Sequence, residues 1–225
     1  MDVMALPSVT DVAQHFIEAL RRANRDEMPY LHWSLSQVLP EAVARAVIDL
    51  PIPPLEIDDC GGVRDKDNSL RTFLTPANQA QHPVFALLAQ ALRRPEVARQ
   101  LSQTCEFEAQ GTYLRMEYIQ DVDGAWLQPH HDVPAKLFSM VIYLFTGPNT
   151  SEWGTDIYDE NQKWIGQGPA EFNSGMIFIP GPNTWHGYEK RKIIGVRRLI
   201  EVNYVHPSWR DRNQLAFPEQ PISLT

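Results

Sequence analysis

Hydrophobic residues near the start of the chain recur at helical spacing. Val12 and Phe16 fall on one face of a helix, and Ser8 and Asp11 have the spacing of a capping box at its beginning. This pattern predicts an amphipathic first helix that ends near residue 24.

The rest of the first half is also predicted to be mostly helical, with one strand at 30–37. Helices are predicted at 41–50 and 82–94, each beginning next to a proline, which is well tolerated in a first helical turn. The second of these is expected to continue through Leu101. The stretch 60–76 is polar, with two adjacent glycines and mixed charges, and is predicted to be an exposed loop.

From residue 112 onward the pattern changes to short runs rich in β-branched and aromatic residues, separated by Gly, Pro and Asn. The runs are 112–119, 138–145, 155–158, 176–180, 184–189 and 197–205. Six short strands without an intervening helix indicate an antiparallel sandwich or barrel of jelly-roll type. The predicted fold class is therefore α+β, mostly β, with N-terminal helices packed on one sheet.

The chain shows no break in composition and no internal repeat that would separate the helical half from the β-rich half. We therefore predict one domain over 1–225. Within it, 1–110 is largely helical, 111–206 forms the β core, and 207–225 is a C-terminal tail.

The composition narrows the possible partners. Apolar residues make up 43% of the 225 residues and charged residues 21%, a balance that can build a core and excludes a disordered chain. The 28 acidic residues outnumber the 20 basic ones and give a net charge of −8. Binding to nucleic acid or to a membrane surface is therefore not expected, and a small-molecule substrate is the expected partner.

Two cysteines, Cys60 and Cys105, are too few for a disulfide framework and indicate a reducing compartment. The sequence contains neither an apolar run of about 18 residues nor the basic and apolar regions of a signal peptide. We expect a cytoplasmic protein. The sequence leaves its oligomeric state open.

Candidate metal ligands come from one His-x-Asp triplet. Seven histidines and 28 acids produce about one such triplet by chance, so its context must support it. On an extended chain His130 and Asp132 point to the same side and His131 points away. Two imidazoles and one carboxylate suit a non-haem Fe(II) site. The second imidazole must come from downstream, where His186 and His206 are the candidates.

A basic residue that could bind an anionic co-substrate follows the downstream histidine. Arg197 lies after Gly195-Val196, and the planar guanidinium suits a carboxylate. If Arg197 faces inward, strand alternation places Leu199, Glu201 and Asn203 on the same side. The opposite register would bury Arg198 instead.

Beyond this spacing, the chain resembles the Fe(II)- and 2-oxoglutarate-dependent dioxygenases, in their prolyl-hydroxylase-like branch. The resemblance covers about 111–206. It rests on ordered segments in strand context: 113–118 leading to 129–132, then 140–144, 154–158, 175–180 before His186, and 195–197 opening the last strand. It implies a double-stranded β-helix core.

The resemblance also implies roles for individual residues. His130, Asp132 and His186 would bind Fe(II), and Arg197 would pair with the distal carboxylate of 2-oxoglutarate. Tyr143 would donate a hydrogen bond to the same carboxylate. The Gly-x-Arg spacing of the family favours Arg197 over its neighbour in sequence. Family members often carry Ser or Thr two positions after this arginine, where the present chain has leucine.

The implied activity couples conversion of 2-oxoglutarate and O₂ to succinate and CO₂ with oxidation of a C–H bond, with hydroxylation as the default outcome. A small polar metabolite is the expected substrate. Two alternatives stay open: a hydroxylase of peptidyl, prolyl-type residues, and a cupin-like metal-binding barrel without oxygen chemistry. The arginine after the metal motif favours the enzyme over the binding barrel.

Four residues are candidates for substrate contact. Arg115 could meet a substrate carboxylate or pair with a neighbouring acid, and Trp126 could line a pocket or pack in the core. Glu201 and Asn203 reach the pocket in the register described above. Glu201 would then favour a substrate that carries an amine.

Overall fold

The computed structural model describes residues 5–54, 61–63 and 71–225. Within these residues the helices are α1 (Val9–Arg21), α2 (Glu41–Ile48), α3 (Pro76–Gln81), α4 (Pro83–Leu92) and α5 (Pro95–Cys105). The strands are β1 (Asn24–Asp26), β2 (His32–Leu35), β3 (Thr72–Phe73), β4 (Tyr113–Asp121), β5 (Leu127–His130), β6 (Lys136–Tyr143), β7 (Asp156–Tyr158), β8 (Trp164–Gln167), β9 (Ser174–Phe178), β10 (His186–Tyr188) and β11 (Arg197–Val205). Two 3₁₀ turns cover Thr150–Glu152 and Arg212–Gln214.

Helix α1 begins as the sequence predicts. The Ser8 hydroxyl accepts from the Asp11 amide at 3.2 Å, and the Asp11 carboxylate accepts from the Ser8 amide at 3.1 Å, which completes the capping box. The helix ends three residues earlier than expected because the chain enters β1 at Asn24.

The long helix predicted from 82 through Leu101 is wrong: it is two helices, α4 and α5. Arg94 has extended dihedrals (φ −61°, ψ 142°), and Pro95 opens α5. A proline disfavours helical dihedrals in the residue before it, so the apolar periodicity continues while the backbone breaks. No helix in the described ranges has the length and apolar character needed to cross a bilayer.

Several short elements were not predicted, namely β1, β3, β5, β8 and α3. The predicted loop 60–76 lies partly outside the described residues, and β3 at its far end pairs with β4. The prediction of a loop there is therefore wrong for Thr72–Phe73.

The strands form two antiparallel sheets. The larger has seven strands in the order β1-β2-β9-β6-β11-β4-β3, and the smaller has four in the order β5-β10-β7-β8. Strand β11 lies inside the larger sheet, between β4 and β6, and its observed bounds equal the predicted ones.

Two hydrophobic cores result from this arrangement. The first joins the helices to one face of the larger sheet, with Phe16, Phe85 and Ile200 among its members. The second lies between the sheets and contains Leu199 of the larger sheet and Ile157 of the smaller one. Successive residues of β11 thus face different cores, as strand alternation requires.

The first core supports a stability prediction. Leu88 of α4 is fully buried in it, and Gln90 on the same helix is exposed. Leu88→Ala is expected to lower the free energy of unfolding by about 3 kcal/mol, because apolar contacts are lost and a cavity is left. Gln90→Ala should change it by less than about 0.5 kcal/mol. Urea unfolding measures both values, and equal stability of the two variants would contradict this account of the core.

Candidate metal centre

Three side chains with metal-binding atoms converge at one end of the smaller sheet. His130 is the last residue of β5 and His186 the first of β10, and the antiparallel register places them directly opposite each other. Asp132 lies two residues beyond β5. One ligand atom from each residue lies within 4.8 Å of the other two. Of the candidates downstream, the structure brings His186 to the pair, and His206 is not a member of this group.

Backbone hydrogen bonds orient both imidazoles. Nδ1 of His130 lies 3.0 Å from the Gln128 carbonyl oxygen, and Nδ1 of His186 lies 2.9 Å from the Thr184 carbonyl oxygen. Because a carbonyl only accepts, each Nδ1 carries a proton, so that in the neutral form of the ring the lone pair is on Nε2. Two neutral imidazoles and one carboxylate fit a divalent transition metal such as Fe(II).

The protonation states suit metal binding at neutral pH. Burial lowers the pKa of His186 to about 4, so its ring stays neutral. Burial alone would raise the pKa of Asp132, but the positive charge of Lys136 and its hydrogen bond to the carboxylate outweigh burial, and the pKa is lowered. Asp132 is therefore a carboxylate. Its Oδ1 accepts from Lys136 Nζ at 2.7 Å and its Oδ2 from Ser139 Oγ at 2.6 Å.

The three residues line a cavity of about 1130 Å³. Its wall follows alternate residues of β11, namely Arg197, Leu199 and Glu201. The lining also includes apolar residues such as Ile119, which pairs with Leu199 across β4 and β11. Its charged residues include Lys136, Arg115 and Arg71.

Arg197 is held in place before any ligand arrives. Its Nε donates to the Trp153 carbonyl oxygen at 2.7 Å and its Nη1 to Asp121 Oδ2 at 2.6 Å, and the guanidinium lies 3.9 Å from the centre of the Tyr188 ring. None of the hydrogen bonds recorded among the described residues uses Nη2. Arg198 is on the opposite face of β11, so of these two adjacent arginines Arg197 is the one that lines the cavity.

Tyr143 does not line the cavity itself but contacts Thr155, which does. Its hydroxyl donates to Thr155 Oγ1 at 2.7 Å and accepts from the Thr155 amide at 3.3 Å, and its side chain is fully buried between the sheets. Thr155 itself lines the cavity. The sequence analysis did not single out Thr155, although it falls in one of the segments that carry the family resemblance.

Of the substrate candidates, Arg115 and Glu201 line the cavity. Arg115 donates to Gln214 at 2.9 Å, to Asn203 at 2.7 Å and to Glu117 at 3.1 Å. It therefore pairs with a neighbouring acid of the protein, which is one of the two partners that the sequence left open. Glu201 accepts from Lys136 at 2.7 Å and lies 3.6 Å from Arg115. This carboxylate is already paired with cations of the protein, which does not favour the amine-bearing substrate suggested by sequence.

The other two substrate candidates are not on the cavity wall. Asn203 is fully buried and donates to Ser139 Oγ at 3.1 Å. Trp126 borders a separate cleft of about 360 Å³ beside Tyr158. Its ring also packs so closely on Gly62 that a Cβ there would lie 2.5 Å from it. Trp126 therefore serves packing rather than the main cavity.

Sequence reasoning missed two charged residues at the site. Lys136 interrupts an otherwise apolar strand shortly after the His-x-Asp triplet, which is a detectable signal. Asp121 lies directly opposite Arg197 in the register of β4 and β11, and such a cross-strand pair becomes visible only once the register is known.

Neither a protein-family model nor a curated protein matches the sequence. Solved structures do match it. A prolyl-4-hydroxylase from Pseudomonas putida is 15% identical with a TM-score of 0.53, and the match covers 90% of this chain and 96% of that one. A prolyl hydroxylase from Trichoplax adhaerens, in complex with a hypoxia inducible factor oxygen degradation domain peptide fragment, is 12% identical (TM-score 0.57, 86% and 88% covered).

A third match is an oxidoreductase of the 2OG-Fe(II) oxygenase family from Burkholderia pseudomallei. It is 15% identical with a TM-score of 0.56, and the match covers 89% of this chain and 92% of that one. At these identities the likeness shows a shared fold. The fold implied by the family resemblance is thus supported independently of the sequence motifs.

The geometry predicts which residues bind a divalent metal. His186→Ala and Asp132→Ala should each weaken Co²⁺ binding by about 100-fold or more, because each removes a ligand. His131→Ala is the matched control, since its ring packs against Trp185 at 5.0 Å and is outside the group. Titration followed by the visible Co²⁺ spectrum measures the affinities. Wild-type affinity in either ligand variant would exclude this metal centre.

Proposed function

We propose that the protein is a single-domain Fe(II)- and 2-oxoglutarate-dependent oxygenase that hydroxylates a C–H bond of a small polar metabolite and forms succinate and CO₂. The observation that carries the proposal is that His130, Asp132, His186 and Arg197 line the same cavity. In this proposal the two facing sheets are the double-stranded β-helix core of the fold.

The three ligands would hold iron through the Nε2 atoms of both histidines and a carboxylate oxygen of Asp132. When bound, iron would supply the chemistry that oxidises the substrate, together with 2-oxoglutarate and O₂. The protein's contribution is to fix the ligands and to position the co-substrate and the substrate. Hydrogen bonds on both imidazoles and on both carboxylate oxygens serve the first task.

Arg197 would bind the distal carboxylate of 2-oxoglutarate. Support comes from its burial on the cavity wall, where water weakens an ion pair with a carboxylate less, and from its fixed orientation against Asp121 and Tyr188. The hydroxyl of Thr155, oriented by Tyr143, would take the place of the Ser or Thr that family members often carry two positions after the arginine.

The size and lining of the cavity support a polar substrate beside the co-substrate. Ligand pockets commonly measure about 300–1,000 Å³, and the present cavity of about 1130 Å³ offers room for two small molecules. The charged lining around Lys136 and Glu201 matches polar groups. Hydroxylation of a peptidyl residue is the second candidate function, because two of the three similar structures described above are prolyl hydroxylases and one holds a peptide.

The cofactor chemistry can be tested without knowing the substrate. Adding Fe(II) and 2-oxoglutarate without oxygen should produce a weak visible charge-transfer band, because the keto acid chelates the metal. Admitting O₂ should then give slow, uncoupled formation of succinate. The absence of both signals would favour the non-catalytic binding barrel. Polar metabolites and proline-containing peptides can each be added as candidate substrates. The class that accelerates succinate formation identifies the kind of substrate.

The two adjacent arginines of β11 provide a matched pair. Arg197→Leu is expected to raise the KM for 2-oxoglutarate by about 100-fold, because the distal carboxylate loses its buried cation. Arg198→Leu, which removes the same charge from the opposite face of the strand, should leave this KM within about twofold. Succinate formation at varied 2-oxoglutarate measures both. An effect confined to Arg198→Leu would show that the co-substrate lies on the other face.

A further inference from the structure

The ligand carboxylate of Asp132 has an unusual neighbour. The ammonium group of Lys136 lies 2.7 Å from Asp132 Oδ1, and the lysine side chain is only 14% exposed. A cation at this position competes with a metal ion for the carboxylate oxygen and also repels a dication directly. On its own, Lys136 would therefore weaken the metal centre that it adjoins.

A second carboxylate offsets this charge. Glu201 Oε1 accepts from the same Lys136 ammonium at 2.7 Å, and the Glu201 side chain is 13% exposed. Lys136 is thus shared between Asp132, which belongs to the three-residue group, and Glu201, which does not. Glu201 Oε2 faces Arg115 at 3.6 Å, which keeps the second acid oriented towards the lysine.

We propose that Glu201 is a positioning residue that sets the metal affinity of the centre by acting on Asp132 through Lys136. Glu201 shares the ammonium with Asp132 at equal distance and offsets its charge, while the lysine and Ser139 together keep the ligand carboxylate in one orientation. The inference rests on the proposed metal centre and goes beyond it, because it assigns a function to a residue that touches neither metal nor co-substrate in that proposal.

The test removes the charge of Glu201 and keeps its shape. Glu201→Gln should weaken Co²⁺ binding by about tenfold or more, which is the range typical of residues that orient metal ligands. The shape of the Co²⁺ spectrum should stay that of the wild type, because all three ligands remain. Adding Lys136→Met to Glu201→Gln should recover most of the lost affinity, because the uncompensated ammonium is then gone. This recovery is the result that a merely structural role of Glu201 does not produce.

Glu41→Gln is the matched control. It removes one negative charge from an exposed position, where Glu41 is 72% exposed, and should not change Co²⁺ affinity. Wild-type affinity in Glu201→Gln, or a double variant as weak as Glu201→Gln, would overturn the inference and leave the proposed function intact. Failure of the wild-type protein to bind Co²⁺ would instead overturn the proposed function.

Folding of the variants is followed by thermal unfolding without metal. If Glu201→Gln does not fold, Lys136→Met alone provides the complementary measurement. It should bind Co²⁺ at least as tightly as the wild type, because the repulsion is removed and Ser139 still orients Asp132. Weaker binding by a folded Lys136→Met variant would contradict the proposed action of Glu201 through the lysine.

Discussion

The pairing of β5 with β10 is the interaction on which the metal centre depends. It joins two segments far apart in sequence and places His186 opposite His130. Gly187 makes this approach possible: a Cβ at that position would lie 2.7 Å from the Leu127 carbonyl oxygen, closer than side chains tolerate. The glycine after the downstream histidine therefore has a steric reason, because any larger residue would push β10 away from β5 and separate the ligands.

Charges buried along the cavity are the second constraint. An ion withdrawn from water is costly unless a partner of opposite charge and further hydrogen bonds accompany it. Here Arg197 forms an ion pair with Asp121, Arg115 forms one with Glu117, and Lys136 contacts two carboxylates. Each cation is thereby fixed in position before a ligand arrives, and such preorganised charges lose little in reorganisation when the ligand binds.

The sequence predicted local features well and cross-strand partners poorly. The bounds of β11 follow from its own composition, and the side-by-side placement of His130 and Asp132 follows from strand geometry. The ion pair of Arg197 with Asp121 joins residues 76 positions apart, and no local pattern encodes which residue of β4 faces which residue of β11. The placement of Trp126 depends in the same way on residues distant in sequence, because it packs on Gly62 and borders a second cleft beside Tyr158.

The contact between Tyr143 and Thr155 joins the two sheets at the cavity wall. Position 199, two residues after Arg197 on β11, carries leucine and offers no hydroxyl there. Thr155, at the start of the segment that forms β7 of the smaller sheet, places one on the wall instead, and the Tyr143 hydroxyl of the larger sheet fixes its orientation at 2.7 Å. In the proposed enzyme, Tyr143 would orient the Thr155 hydroxyl, and Thr155 would supply from the smaller sheet a hydroxyl that position 199 does not offer.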